Sequence, residues 1–183
     1  MEIIYQKIID TFNANKKIFI NRNLPVIRQI DINYGQPDDP QNFEVFQPAI
    51  YISWQISNQA DREPSTLTLE FHVLQEPGAH TENYSERLPK GKEYLLMLKT
   101  IKYILNKLRA SNTTGLKYTG ERPNITPFFN YHILTYTCFI DDGAGESLTK
   151  GSLTDVELTD YDASFSVQKK ETPPTPTAID TFK

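Results

Sequence analysis

The chain has 183 residues, enough for one ordinary domain with a real core and hardly enough for two. A formal net charge of −4 gives no bulk attraction to nucleic acid or to an anionic membrane, and a single cysteine excludes an intramolecular disulfide and a multi-cysteine zinc site. Ten Tyr, ten Phe and one Trp argue against wholesale disorder, because disordered chains are poor in aromatics.

The opening EIIYQKIIDTFNANKK sets Ile4, Ile8 and Phe12 four residues apart with Ile9 beside them, the spacing of a short amphipathic helix. NANKK reads as its stop, with lysines near the negative end of the helix dipole. No basic region precedes an apolar run here, so the segment does not read as a signal peptide, and the longest apolar run is too short to span a bilayer. A soluble, cytoplasmic protein is expected.

LPVIRQIDINYG places Val26, Ile30, Ile32 and Tyr34 on one parity, broken by Arg28, and reads as a strand suited to a sheet edge. GQPDDPQN is a loop by its Gly, Pro and Asp content. In PAIYISWQIS, Ile50, Ile52, Trp54 and Ile56 alternate with Tyr51, Ser53 and Gln55. In STLTLEFHVLQ, Leu67, Leu69, Phe71 and Val73 alternate with Thr66, Thr68, Glu70 and His72. Such alternation predicts two strands with one buried face each, and the short polar connector NQADREP predicts an antiparallel hairpin.

EPGAHTENYSERLPKG reads as a long polar loop. KEYLLMLKTIKYILNKLRA then runs helical, with Tyr94, Leu98, Ile101, Leu105 and Leu108 on one face, Met97 and Ile104 flanking it, and SNTTG as its close. The basic cluster around Lys99, Lys102, Lys107 and Arg109 reads as that helix's solvated face. LKYTGE is a weak strand before a proline, and YHILTYTCFI is the last convincing one. Beyond Asp142 the composition turns polar and then Pro/Thr-rich, with a short alternation at Ala163, Phe165 and Val167.

The expected architecture is α+β: a single antiparallel sheet of about four to five strands, two helices packed on one face, and a C-terminal extension. Residues 1–142 form the domain and 143–183 the polar extension, partly extended or disordered. The other sheet face, with Gln55, Thr66, Thr68, Glu70 and Thr135, would be polar and would meet water or another subunit.

No residue set announces a chemistry. His132 and Cys138 share strand parity but lie roughly 20 Å apart along the strand, too far for a Cys–His pair. Cys138 falls among Leu134, Tyr136 and Ile140, as a small apolar residue would. His72 and Glu70 stand two apart on the polar face and would hold a metal only with a third ligand from elsewhere; otherwise they are a surface pair. His80 sits in a polar loop. Asp141, Asp142 and Glu146 do not follow the EF-hand spacing and read as an acidic turn. The phosphate-binding, dinucleotide, nucleophile-elbow and zinc-protease motifs are absent.

The element order resembles that of the tail terminator or tail completion proteins of tailed bacteriophages (minor tail protein U type). The likeness rests on the opening helix EIIYQKIIDTF, the Pro-introduced strand QPAIYISWQIS and its partner STLTLEFHVLQ. The polar loop and helix KEYLLMLKTIKYILNKL follow, and then the late strand YHILTYTCFI with its acidic pair. The resemblance covers about residues 1–142 and is topological, without signature residues. It implies a non-enzymatic subunit assembling into a ring, often a hexamer, that ends the tail tube and meets the head–tail connector. The subunit would work in the host cytoplasm during assembly and then in the virion tail, with no cofactor, no metal, no membrane and no specific nucleic-acid contact. Glu70, His72, His80, Tyr84 and Glu86 are the interface residues expected on that basis. Two alternatives stay open: another neck or baseplate adaptor, and an enzyme dependent on a metal or a thiol through His72, Glu70 or Cys138.

Overall fold

The computed structural model describes residues 1–57, 64–78 and 81–141. The elements are α1 (Glu2–Ala14), α2 (Lys16–Asn21), β1 (Gln29–Ile32), β2 (Ala49–Ser57), β3 (Ser65–Gln75), α3 (Leu88–Leu105), β4 (Lys117–Ile125) and β5 (Asn130–Ile140). The five strands form one sheet in the order β1-β2-β3-β5-β4, so the fold is α+β as the pattern predicts. The expected C-terminal extension, 143–183, lies outside the described residues.

Period-two alternation in the three central strands builds the main core. Ile50 and Ile52 of β2, Leu67, Leu69, Phe71 and Val73 of β3, and Leu134, Tyr136, Cys138 and Ile140 of β5 all face the helices. Against them pack Ile4, Ile8 and Phe12 of α1, Phe19 of α2, and Met97, Leu98, Ile101, Ile104 and Leu105 of α3. The Phe71 and Tyr136 rings meet edge-on at 5.5 Å, a preferred aromatic geometry.

The structure departs from the expectation in several places. The sheet is mixed: β1 pairs parallel with β2, Gln29 opposite Ala49 through Ile32 opposite Ile52. A parallel neighbour needs a connection of a dozen or more residues, and the chain supplies residues 33–48, which return across the face away from the helices. NANKK does not end the helical region. Asn15 breaks the turn at φ −102°, ψ 12°, and α2 restarts at Lys16 so that Phe19 packs against Phe12. The described residues thus hold three helices, and the third begins earlier than predicted, at Leu88 with Pro89 in its first turn, where the missing N–H costs no hydrogen bond. SNTTG is not its close. The helix stops at Leu105, Lys107 takes a left-handed φ of +58°, and Leu108 stays buried after the turn. β4 runs through Pro123, which the outer edge of a sheet tolerates. Trp54 shares parity with Ile50 and Ile52 but is 41% exposed, because β2 continues past the last β1 pairing at Ile32.

The second face is not uniformly polar. Across it run the rows Ala49, Leu74, Tyr131, then Tyr51, His72, Ile133, then Ser53, Glu70, Thr135, then Gln55, Thr68, Thr137. The first rows form a second apolar cluster with Phe129, onto which Val45 of the crossing segment packs. This explains why burial in β3 alternates in its first half and becomes continuous from Phe71 to Leu74.

Phe71 is fully buried against the Tyr136 ring, so Phe71→Ala is expected to destabilise the protein by about 3–5 kcal/mol in urea unfolding. Ile125→Ala, at a side chain 97% exposed, is expected to stay within about 0.5 kcal/mol. Equal losses would show that the helix-facing core is assigned wrongly.

Candidate functional site

At the border between the apolar and polar rows of the second face, strand register gathers a hydrogen-bonded network. Ser53 on β2, His72 on β3 and Tyr131 on β5 share that face, since Tyr51 pairs with His72 and Val73 with His132. Ser53 Oγ lies 2.8 Å from His72 Nε2, and the Tyr131 hydroxyl lies 2.6 Å from His72 Nδ1. A carboxylate oxygen of Glu70 stands 3.8 Å from Nε2, and Glu70 itself accepts from Arg122 of β4 at 3.4 Å.

Which way the two bonds to His72 run depends on which ring nitrogen carries the proton. The Glu70 carboxylate beside Nε2 favours the imidazole proton there. With the proton on Nε2, that nitrogen donates to Ser53 Oγ and Nδ1 accepts from the Tyr131 hydroxyl; with the proton on Nδ1 both directions reverse. Burial pushes His72 below its ordinary value, against the opposing pull of Glu70 and of Asp38 on the crossing segment, so the neutral ring is the favoured form. Burial likewise pushes the Tyr131 phenol up to about 12.

His72 is thus no surface histidine, as the strand parity alone suggested. It is 6% exposed, with both ring nitrogens engaged. Glu70 is half-buried and committed to Arg122, while Tyr84 is 94% exposed and Glu86 is exposed. His80 lies outside the described residues, as do Asp142 and Glu146. The structure brings Glu70 and His72 together and leaves Tyr84 and Glu86 on a separate loop. Sequence reasoning missed Ser53 and Tyr131. The signal was available in the hairpin, because pairing Ile52 with Phe71 places Ser53 opposite Glu70.

A second polar group lies on the helix side. Lys102 of α3 donates to Glu121 of β4 at 2.8 Å and sits 5.6 Å over the Tyr118 ring. Burial alone would raise the Glu121 carboxyl, but hydrogen bonds from Lys102 and Tyr118 and the Lys102 charge hold it below its ordinary value. Tyr94 meets His132 edge-on at 6.5 Å, and burial pushes Tyr94 up to about 12 and His132 down. His132 Nε2 and the Tyr136 hydroxyl are buried without a hydrogen-bond partner among the described residues. Cys138 is 5% exposed, and burial raises its thiol, which keeps it protonated and out of reach.

Two clefts lie away from both groups. One of about 670 Å³ runs along Glu2, Gln6 and Asp10 of α1 beside Arg109 and Ser111, and one of about 330 Å³ lies between Arg28, Gln47, Gln75 and Lys90. Among the described residues no group of three or more His, Cys, Asp or Glu is placed to hold a metal ion, and no helix is long and apolar enough to cross a membrane. Comparison with protein-family models and with curated proteins finds no match.

His72 and His132 are both held below the ordinary 6.5 in the folded chain. Between the folded and unfolded values the unfolded chain binds more protons, so their contribution to stability is fully present above about pH 6.5 and is lost as pH falls through the folded values. Thermal melting is expected to drop on acidification from pH 7, with a shallower slope for His72→Gln; an unchanged slope would remove His72 from this account. Tyr131→Phe leaves Nδ1 buried without its hydrogen-bond partner and is expected to cost about 1–3 kcal/mol.

Proposed function

We propose that the chain is a structural subunit, without chemistry of its own, that assembles with copies of itself into a ring ending a phage or prophage tail tube and joining it to the head. One observation carries the reading: two different surfaces, on opposite sides of the sheet, are left uncovered by the described residues. On the helix side, Leu95, Leu96 and Tyr103 of α3 are exposed. On the other side, the end of the second face bearing Gln55, Thr68 and Thr137 is not apolar enough to form a core, and Phe139 stands 44% exposed there. A closed ring needs this asymmetry, since each copy meets the next head-to-tail through unlike surfaces, whereas a twofold dimer needs one self-complementary patch. The likeness in element order to tail terminator proteins supplies the tail role, and their rings suggest six copies.

Of the interface residues expected from the sequence, Tyr84 and Glu86 are exposed and Glu70 is half-buried, while His72 is 6% exposed and so offers a neighbour little surface. Light scattering and negative-stain electron microscopy of the purified chain are expected to show a closed ring that also caps isolated tail tubes. A strict monomer at high concentration, with bare tube ends, would defeat the proposal. Tyr84→Ala should leave the melting temperature unchanged and weaken assembly by roughly fivefold or more, the behaviour of an exposed tyrosine that anchors an interface.

A further inference from the structure

We infer that the outer face of α3 seats the acidic stretch LTDVELTDYDASFSV (153–167) of a neighbouring copy, so that each subunit is held by the next through an exchanged segment. The inference deepens the ring reading and rests on it. Leu95, Leu96 and Tyr103 are 64%, 38% and 62% exposed, and helical spacing places them on one stripe with the exposed Lys92 and Lys99. Single exposed leucines are ordinary, but three large apolar side chains on one stripe ask for a cover. Arg22 donates to Thr100 Oγ1 at 2.8 Å and lies 5.6 Å over the Tyr103 ring, which holds that ring in place before any partner arrives.

Charge selects the partner. From Arg87 to Arg109 there are seven Lys or Arg and one acid, Glu93, in a chain whose net charge is −4; Lys92 and Lys99 lie on the stripe, whereas Lys102 is already paired with Glu121. Residues 153–167 carry Asp155, Glu157, Asp160 and Asp162 with no Lys or Arg, interleaved with Val156, Leu158, Tyr161 and Phe165. Acids and apolar side chains together match lysines and leucines together. A nucleic-acid backbone would answer the lysines and leave the leucines uncovered. The arm is long: residues 142–152 can extend to at most roughly 40 Å, more than the about 27 Å length of α3.

The test uses two charge-reversed full-length chains. One carries Lys92→Glu and Lys99→Glu; the other carries Asp155→Lys, Glu157→Lys and Asp160→Lys. Each alone is expected to assemble at least about tenfold more weakly than the wild type at physiological salt, with melting temperatures unchanged because Lys92 and Lys99 are exposed. An equimolar mixture is expected to regain assembly as an alternating ring, because each reversed helix then faces a reversed segment. Assembly unaffected in either variant, or a mixture that regains nothing, overturns the exchange while leaving the ring intact. A wild-type chain that never assembles overturns the ring reading and this inference with it.

Discussion

Everything in the fold depends on one strand being apolar on one side. Leu67, Leu69, Phe71 and Val73 of β3 are all fully buried, and β3 stands at the middle of the sheet with β2 and β5 as its partners. Burying each such side chain is worth about 1.5–3 kcal/mol, whereas exposed ion pairs contribute about 0–1 kcal/mol each. The pairs Lys102–Glu121 and Arg122–Glu70 are both of the exposed kind, so they orient β4 and do not hold the domain together. The helices converge on β3 because its face is the largest continuous apolar surface the chain can build.

The reverse side of the same strand sets the rest. Because β1 and β2 are parallel, residues 33–48 must cross the sheet, and they cover only the end where Tyr51, Leu74, Tyr131 and Ile133 cluster. His72 falls on the boundary. One row nearer Leu74 it would need an apolar side chain, and one row nearer Thr68 it would be hydrated. At the boundary it is desolvated yet surrounded by Ser53, Tyr131 and Glu70, and a buried imidazole needs both nitrogens satisfied. The network joins side chains of β2, β3 and β5 through the two ring nitrogens of one imidazole.

What was legible in the sequence was whatever one strand or helix decides alone. The alternations in β2, β3 and β5 and the burial of Cys138 follow from period two, and the stripe of Ile4, Ile8 and Phe12 from period 3.6. What was not legible depends on a distant partner. The restart at Lys16 is rewarded only by Phe19 meeting Phe12, and the passage of β4 through Pro123 only by that strand lying at the edge. The parallel pairing of β1 depends on where a loop crosses. The candidate site divides the same way: Glu70 and His72 are neighbours on one strand, whereas Ser53 and Tyr131 arrive through register with two others.

The outer edge of the sheet at β4 shows how stray backbone pairing is discouraged. A bare edge strand invites indiscriminate backbone pairing, and β4 carries the features that discourage it: Pro123 without an N–H, a bulge at Tyr118 and Gly120, and the charges of Lys117 and Arg122. The threonines opposite one another, Thr68 and Thr137, fit a pleated surface without adding an apolar patch. Side chains left exposed elsewhere are of a different kind: the α3 stripe of Leu95, Leu96 and Tyr103 with Lys92 and Lys99, and Tyr84 on its loop, take no part in the strand register that holds the domain together, so changing them leaves that register untouched.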